Sequence, residues 1–316
     1  MSTAPREQNL VFVRSEYGLP YSKGLMAQSI MATGLAPERA FALATLIERR
    51  LGERREREIS VDDLRLLAEQ VLGTEEGEEM ATRFHRWGRL TRLDRPLVVL
   101  IGGVTGVGKS TLATQLGSRL GITRVVATDQ VRQVVRAFFS REFLPAVHHS
   151  SFDVARALPE LGDGASATID GFVRQVEDIA PGIEALVERA VSERGRIVIE
   201  GVHLLPEVPS ATLCEQAVTA RALLAVTDEH AHRAHFHMRG LESPRPPGRY
   251  LDAFDRIRTL QEFLIERATA TGVPIIDEGA LEPALKRMLQ VVFDAVGGEP
   301  DTAESAAVNV RAKETT

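Results

Sequence analysis

Residues 103–110 read Gly-Val-Thr-Gly-Val-Gly-Lys-Ser, which fits the pattern Gly-x4-Gly-Lys-[Ser/Thr]. The flanks constrain the fold as strongly as the string. Before it runs Pro96-Leu-Val-Val-Leu-Ile101, an unbroken apolar stretch rich in β-branched residues, as a buried parallel strand should be. After it, Thr111–Leu120 carries apolar residues at helical spacing, and Gly121 follows as a stop signal. Strand, glycine loop and helix together make a phosphate-binding loop. Backbone groups of Gly103, Thr105, Gly106, Val107, Gly108 and Thr111 would surround a triphosphate at the start of the helix. Lys109 would reach the β and γ phosphates, and the Ser110 hydroxyl would hold Mg²⁺.

A chain of 316 residues is long enough for two domains, each burying its own core. A net charge of -6 gives no electrostatic reason to expect nucleic acid as a partner. The single cysteine, Cys214, excludes an internal disulfide framework and fits a reducing compartment. The polar N-terminus lacks the cationic start and apolar stretch of a leader, and no apolar run approaches the ~18 residues of a membrane span. The expected setting is the cytoplasm, with no membrane partner; a homo-oligomer is left open.

Residues 9–75 read as a compact, mostly helical unit. Leu10–Val13 is an expected short strand, and helical patterns follow at about 23–33, 37–51 and 60–72. A helical connector, 76–91, carries Trp87. From residue 92 to 296 strands alternate with helices, with strands expected at 124–128, 196–200, 221–227 and 272–277 and a mostly helical stretch at 150–194. Such alternation predicts an α/β fold, a three-layer αβα arrangement with a parallel sheet covered on both faces. Residues 297–316 have little to bury and are expected to be disordered.

In an open parallel sheet the ligand sits outside the carboxyl ends of the strands. Asp129 follows the second strand, which we expect to lie directly beside the loop strand. Its carboxylate could take a proton from an acceptor hydroxyl or share the Mg²⁺ shell; alternatively it caps the next helix. Arg132 and Arg136, four residues apart, share a helix face and suit an anionic small-molecule substrate; otherwise they are a solvated stripe. Glu200 ends the third strand, where an acid would orient Mg²⁺. His203 either faces the same pocket or is a hydrogen-bonded core residue. Loop 144–153 offers His149, Ser150 and Ser151 as an acceptor site.

Four histidines, His230, His232, His235 and His237, are scattered around a helix rather than gathered on one face, which argues against a zinc site. Arg233, Arg239, Arg245 and Arg249 surround the breakers Ser243-Pro-Arg-Pro-Pro-Gly248 and read as a lid closing over transferring phosphates, or else as exposed charge. Arg239 is the catalytic candidate among them.

The combination of 102–111, Ala127-Thr-Asp-Gln-Val-Arg-Gln-Val-Val-Arg136, His149-Ser-Ser-Phe152, Gly171–Glu177, Ile199-Glu-Gly-Val-His-Leu-Leu-Pro206 and Ile257–Gln261 resembles the 2-phosphoglycerate kinases. The resemblance covers about 92–296, in the family's order. Val13-Arg14, Gly18, Pro20–Lys23, Ser29 and Gly34 separately resemble an ATP-cone, a small regulatory nucleotide-binding module. The resemblance implies a P-loop kinase that transfers phosphate from ATP, with Mg²⁺, to 2-phosphoglycerate. It makes Lys109 and Ser110 the ATP and Mg²⁺ residues and Asp129 the base. Arg132 and Arg136 would grip the acceptor, with Ser150 and Ser151 nearby. Segment 233–239 departs from it, with histidines where more basic residues are expected. The competing readings are a kinase for another small anionic acceptor and a regulatory nucleotide switch.

Overall fold

The computed structural model describes residues 10–11, 23–54, 59–91, 93–242, 248–277 and 279–297. The chain divides after Leu93, and Asp94–Ala295 forms one compact unit.

The N-terminal unit is built around a two-stranded antiparallel pair and four helices. These are β1 (Leu10–Val11), α1 (Lys23–Met31), α2 (Pro37–Arg54), β2 (Ile59–Ser60), α3 (Val61–Leu72) and α4 (Thr74–Thr91), with Leu10 opposite Ser60. Pro37 opens α2, where a missing N–H leaves no hydrogen bond unmade. Ile30, Leu43, Ile47 and Leu64 are completely buried and pack with Met80 and Phe84. The expected connector 76–91 falls within α4, and Met80, Phe84 and Trp87 contribute to this core. Arg39 of α2 donates to both carboxylate oxygens of Glu76 on α4, at 2.8 and 3.0 Å. Phe12 to Ser22, including Arg14, Gly18 and Pro20, and the tail beyond Gly297 lie outside the described residues.

The second unit runs β3 (Leu97–Gly102), α5 (Lys109–Leu120), β4 (Val125–Ala127), α6 (Thr128–Phe138), α7 (Ala165–Ser192), β5 (Arg196–Gly201), α8 (Ala211–Cys214), β6 (Val218–Leu224), α9 (Glu229–Glu242), α10 (Gly248–Asp252), α11 (Phe254–Thr271), β7 (Ile275–Ile276) and α12 (Leu281–Gly297). All five strands are parallel, in the order β4-β5-β3-β6-β7, with flanking helices. Every residue of β3 is buried, which explains its unbroken apolar sequence. Helix α5 buries Leu112, Ala113, Leu116 and Leu120, and α11 buries Ile257, Leu260 and Leu264. No helix among the described residues is long and apolar enough to cross a membrane.

Strand order corrects one expectation. The strand before Asp129 does not lie beside β3; β5, which carries Glu200, stands between them. Crossover handedness follows from chain chirality, but a crossover can skip a sheet position, and the sequence does not say which one does. The chain leaves β3 for the far edge, returns to β5, then crosses β3 to β6. The phosphate loop therefore sits at the point where strand order reverses, the place for ligands in such sheets. Register levels the three central strands there, with Gly102 opposite both Gly201 and Leu223.

Two further segments differ. β6 starts at Val218 rather than 221, because Thr219 and Arg221 lie half-buried inside the strand, Arg221 donating to Leu205 O at 2.6 Å. Residues 146–148, 154–157 and 159–161 form short 3-10 turns, and regular helix begins only at Ala165.

Candidate active site

Helix α5 begins at Lys109, so the glycine loop delivers its N–H groups and the positive helix end to one spot. Lys109 Nζ donates to Val104 O at 2.7 Å, across the loop. Ser110 Oγ donates to Glu200 Oε1 at 2.6 Å. Glu200 is only 6% exposed, brought level with the loop by the β3–β5 register. A hydroxyl and a carboxylate meeting at a phosphate loop are oxygen donors of the type Mg²⁺ takes, alongside triphosphate oxygens. Among the described residues no three His, Cys, Asp or Glu side chains converge on a metal position.

The α9 histidines have a role that spacing alone did not reveal. His232 Nε2 lies 3.0 Å from Thr105 O, and His235 Nδ1 lies 3.0 Å from Gly106 O. A carbonyl only accepts, so both rings donate to the phosphate loop. Burial lowers the pKa of His232, against the Thr105 hydrogen bond that raises it. Its Nδ1 is buried without a partner among the described residues, as a neutral ring protonated at Nε2 allows. Gly106 is fixed by this docking: at φ +88°, a Cβ there would lie 2.6 Å from the Phe236 ring. From His232 a stack of rings continues through Phe236 (5.1 Å) to Tyr250 (5.4 Å) and ends on Phe152 (6.1 Å).

Asp129 occupies the first turn of α6, not its cap. Ala127 is the cap residue, and its N–H donates to Gln130 Oε1 at 3.2 Å. Arg132 Nε donates to Asp129 Oδ1 at 3.2 Å. Burial raises the Asp129 carboxyl, while His203, Arg132 and Lys109 lower it; the lowering wins, and the group stays ionised at neutral pH. His203 is a hydrogen-bonded core residue behind this wall. Its Nδ1 is 2.8 Å from Thr128 Oγ1 and its Nε2 3.0 Å from Gln175 Oε1. Gln175 spends its amide N–H groups on Ala146 O and His149 O, so its oxygen accepts from His203 Nε2–H and Nδ1 accepts from Thr128. Complete burial pushes the pKa of His203 down to about 4. Gly201 allows the packing: a Cβ there would overlap Thr128 Oγ1 at 1.8 Å.

These groups line one cavity of about 340 Å³. Thr105, Lys109, Ser110 and Glu200 form one wall; Asp129, Arg132 and Arg136 form another. His149, Ser150 and Ser151 close it, together with Arg249 and Tyr250 of α10. A second groove of about 410 Å³ lies against Gly106–Thr111 and is lined by Leu224, His235, Met238, Leu281 and Ala284. Sequence reading missed this groove, because its apolar residues come from three separated segments. Lys109 and Ser110 line both spaces.

The lid candidates divide. Arg233 stacks 3.7 Å over the Phe254 ring. The Arg239 side chain and Arg245 lie outside the described residues. Arg249 Nη2 donates to Ser150 Oγ at 2.8 Å. Outside the lid segment, on α11, Arg256 donates to Phe152 O and Asp153 Oδ1, and Arg258 to Val226 O and Thr227 O. Neither Arg256 nor Arg258 lines the cavity.

No family model matches the chain. Among solved structures, a shikimate kinase from Acinetobacter baumannii in complex with shikimate aligns with a TM-score of 0.38 at 13% identity, covering 65% of this chain and 97% of that one. Curated relatives are nearer. A 2-phosphoglycerate kinase of Methanocaldococcus jannaschii is 34% identical over 288 residues, 91% of this chain and 92% of that protein. The 2-phosphoglycerate kinase of Pyrococcus horikoshii is 34% identical over 275 residues, 87% and 90% of the two chains. With that identity extending over nearly the whole of both proteins, the chain belongs to the 2-phosphoglycerate kinase family.

Proposed function

We propose that the protein transfers the γ-phosphoryl group of ATP to the free hydroxyl of 2-phosphoglycerate, giving 2,3-bisphosphoglycerate and ADP. What supports this reading, beside the relatives' activity, is the single cavity that places Lys109 and Ser110 across from Asp129 and two arginines. In a pure nucleotide switch that second wall has no use.

The adenine and ribose would lie in the apolar groove, and the triphosphate would run over the loop into the cavity. Lys109 would exchange Val104 O for phosphate oxygens. Ser110 and Glu200 would hold Mg²⁺, which supplies charge neutralisation on the phosphates when bound. Asp129, kept ionised, would orient the acceptor hydroxyl and take its proton as the new P–O bond forms and the bond to the ADP oxygen breaks. Residues 9–75 would act as an ATP-cone-like regulatory module. A reducing cytoplasm suits the one free thiol, Cys214.

The test is purified full-length protein with ATP, Mg²⁺ and a panel of small phosphorylated acids. We expect ADP formation strictly dependent on 2-phosphoglycerate. Slow hydrolysis indifferent to every acceptor would overturn the kinase reading in favour of the switch.

A further inference from the structure

The anion grip assigned by sequence to Arg132 and Arg136 is divided differently in three dimensions. Arg132 is already committed. Nε donates to Asp129 Oδ1, and Nη1 donates to Val147 O at 3.2 Å and His149 O at 3.1 Å, with the side chain only 11% exposed. Turning it to a ligand would unpair Asp129 and release two carbonyls of the acceptor loop. Arg136, one turn further along α6, is exposed on the cavity wall and makes no ion pair among the described residues.

Arg249 is the second available cation. Its side chain is 61% exposed, and Nη2 bridges Ser150 Oγ at 2.8 Å and Asp153 Oδ2 at 3.7 Å. Asp153 is itself nearly buried, so its charge needs a partner. Arg256 provides one at 2.9 Å, and Arg156 stands at 3.7 Å. Arg249 can therefore leave Asp153 without stranding a buried carboxylate, whereas Arg132 would have to release the carbonyls of Val147 and His149. Asp153 and Ser150 hold the Arg249 guanidinium on the lining of the cavity.

We propose that Arg136 and Arg249 clamp the anionic group of the acceptor, a phosphate monoester or carboxylate, while Arg132 is a positioning residue. Arg132 fixes the Asp129 carboxylate and the backbone of 147–149, and Arg249 exchanges Asp153 for the ligand. This inference rests on the reading of the cavity as a kinase acceptor site. It predicts that acceptors of the same size without an anionic group are refused.

The test measures calorimetric binding of 2-phosphoglycerate to the full chain, with steady-state kinetics alongside. Arg249→Gln and Arg136→Gln should each weaken acceptor binding about tenfold or more, as loss of a charge-assisted hydrogen bond does, and leave the KM for ATP unchanged. Arg249→Lys should recover part of the affinity. Arg132→Lys keeps the charge but not the planar fork, and should lower kcat at least about tenfold while acceptor binding changes less than about twofold. Wild-type affinity in Arg249→Gln, or an affinity loss in Arg132→Lys matching that of the other two, overturns the clamp while leaving the kinase assignment standing. A wild-type protein that phosphorylates no phosphorylated acid overturns that assignment, and the clamp with it.

Discussion

Ser110 Oγ donates to Glu200 Oε1 across 2.6 Å, joining the last residue of the glycine loop to the carboxyl end of the neighbouring strand. The β3–β5 register, with Ile101 opposite Glu200, brings the pair together. Glu200→Gln should therefore keep the fold and the hydrogen bond while removing the charge. We expect kcat to fall about 10²-fold and the Mg²⁺ requirement to rise, with nucleotide binding in EDTA unaltered. A titration of activity against Mg²⁺ checks this; an unchanged midpoint counts against the metal role.

Lys109 Nζ donates to the Val104 carbonyl of the loop. Lys109→Ala should reduce turnover by at least about 10³-fold, the scale seen when a fixed transition-state charge is deleted. The thermal midpoint should change far less than turnover does.

Asp129→Asn retains the shape of the side chain and an Oδ1 that accepts from Arg132 Nε. Transfer should fall about 10²-fold or more, as for loss of a base, while the Kd for ATP stays near the wild-type value. Equal loss of ATP binding in equilibrium dialysis would reassign Asp129 to metal or structure.

His203 titrates at about 4 in the fold, against an ordinary 6.5. The unfolded chain therefore binds more protons between these values, and stability must decline as pH falls from about 6.5 to about 4, then level off in this respect. Above pH 6.5 the contribution is fully present. Melting curves across that window should slope more steeply for wild type than for His203→Gln.

Gly106→Ala places a methyl against the Phe236 ring at a positive φ. We expect a loss of about 1–3 kcal/mol in stability from the clash and backbone strain. The KM for ATP should rise as well, because the loop must shift. Phe236→Leu in the same chain should restore part of both.

The loop, its strand and its helix were legible because each is specified by adjacent residues: apolar run, glycines, amphipathic turn. Asp129, Arg132, Arg136, Glu200 and 149–151 could be nominated because a parallel sheet gathers its strand ends. Their division of labour could not. Whether Arg132 is free or spent depends on carbonyls of Val147 and His149, far from it in sequence and unmarked by side-chain type. The same holds for His232 and His235, whose spacing argued only against a metal site and which donate to backbone oxygens of the loop. Which strand intervenes between β3 and β4 is a tertiary choice, set by the packing of long crossovers rather than by the strands themselves. The apolar groove escaped notice for a related reason: Leu224, Met238 and Leu281 are unremarkable until three elements bring them together.

The two spaces beside the phosphate loop have Lys109 and Ser110 in common and otherwise separate linings. One substrate therefore does not have to depart before the other can enter, and no side chain needs to store the phosphoryl group between two half-reactions. We expect a sequential kinetic order, with both substrates on the protein at once. Double-reciprocal plots at several fixed acceptor concentrations should converge rather than run parallel.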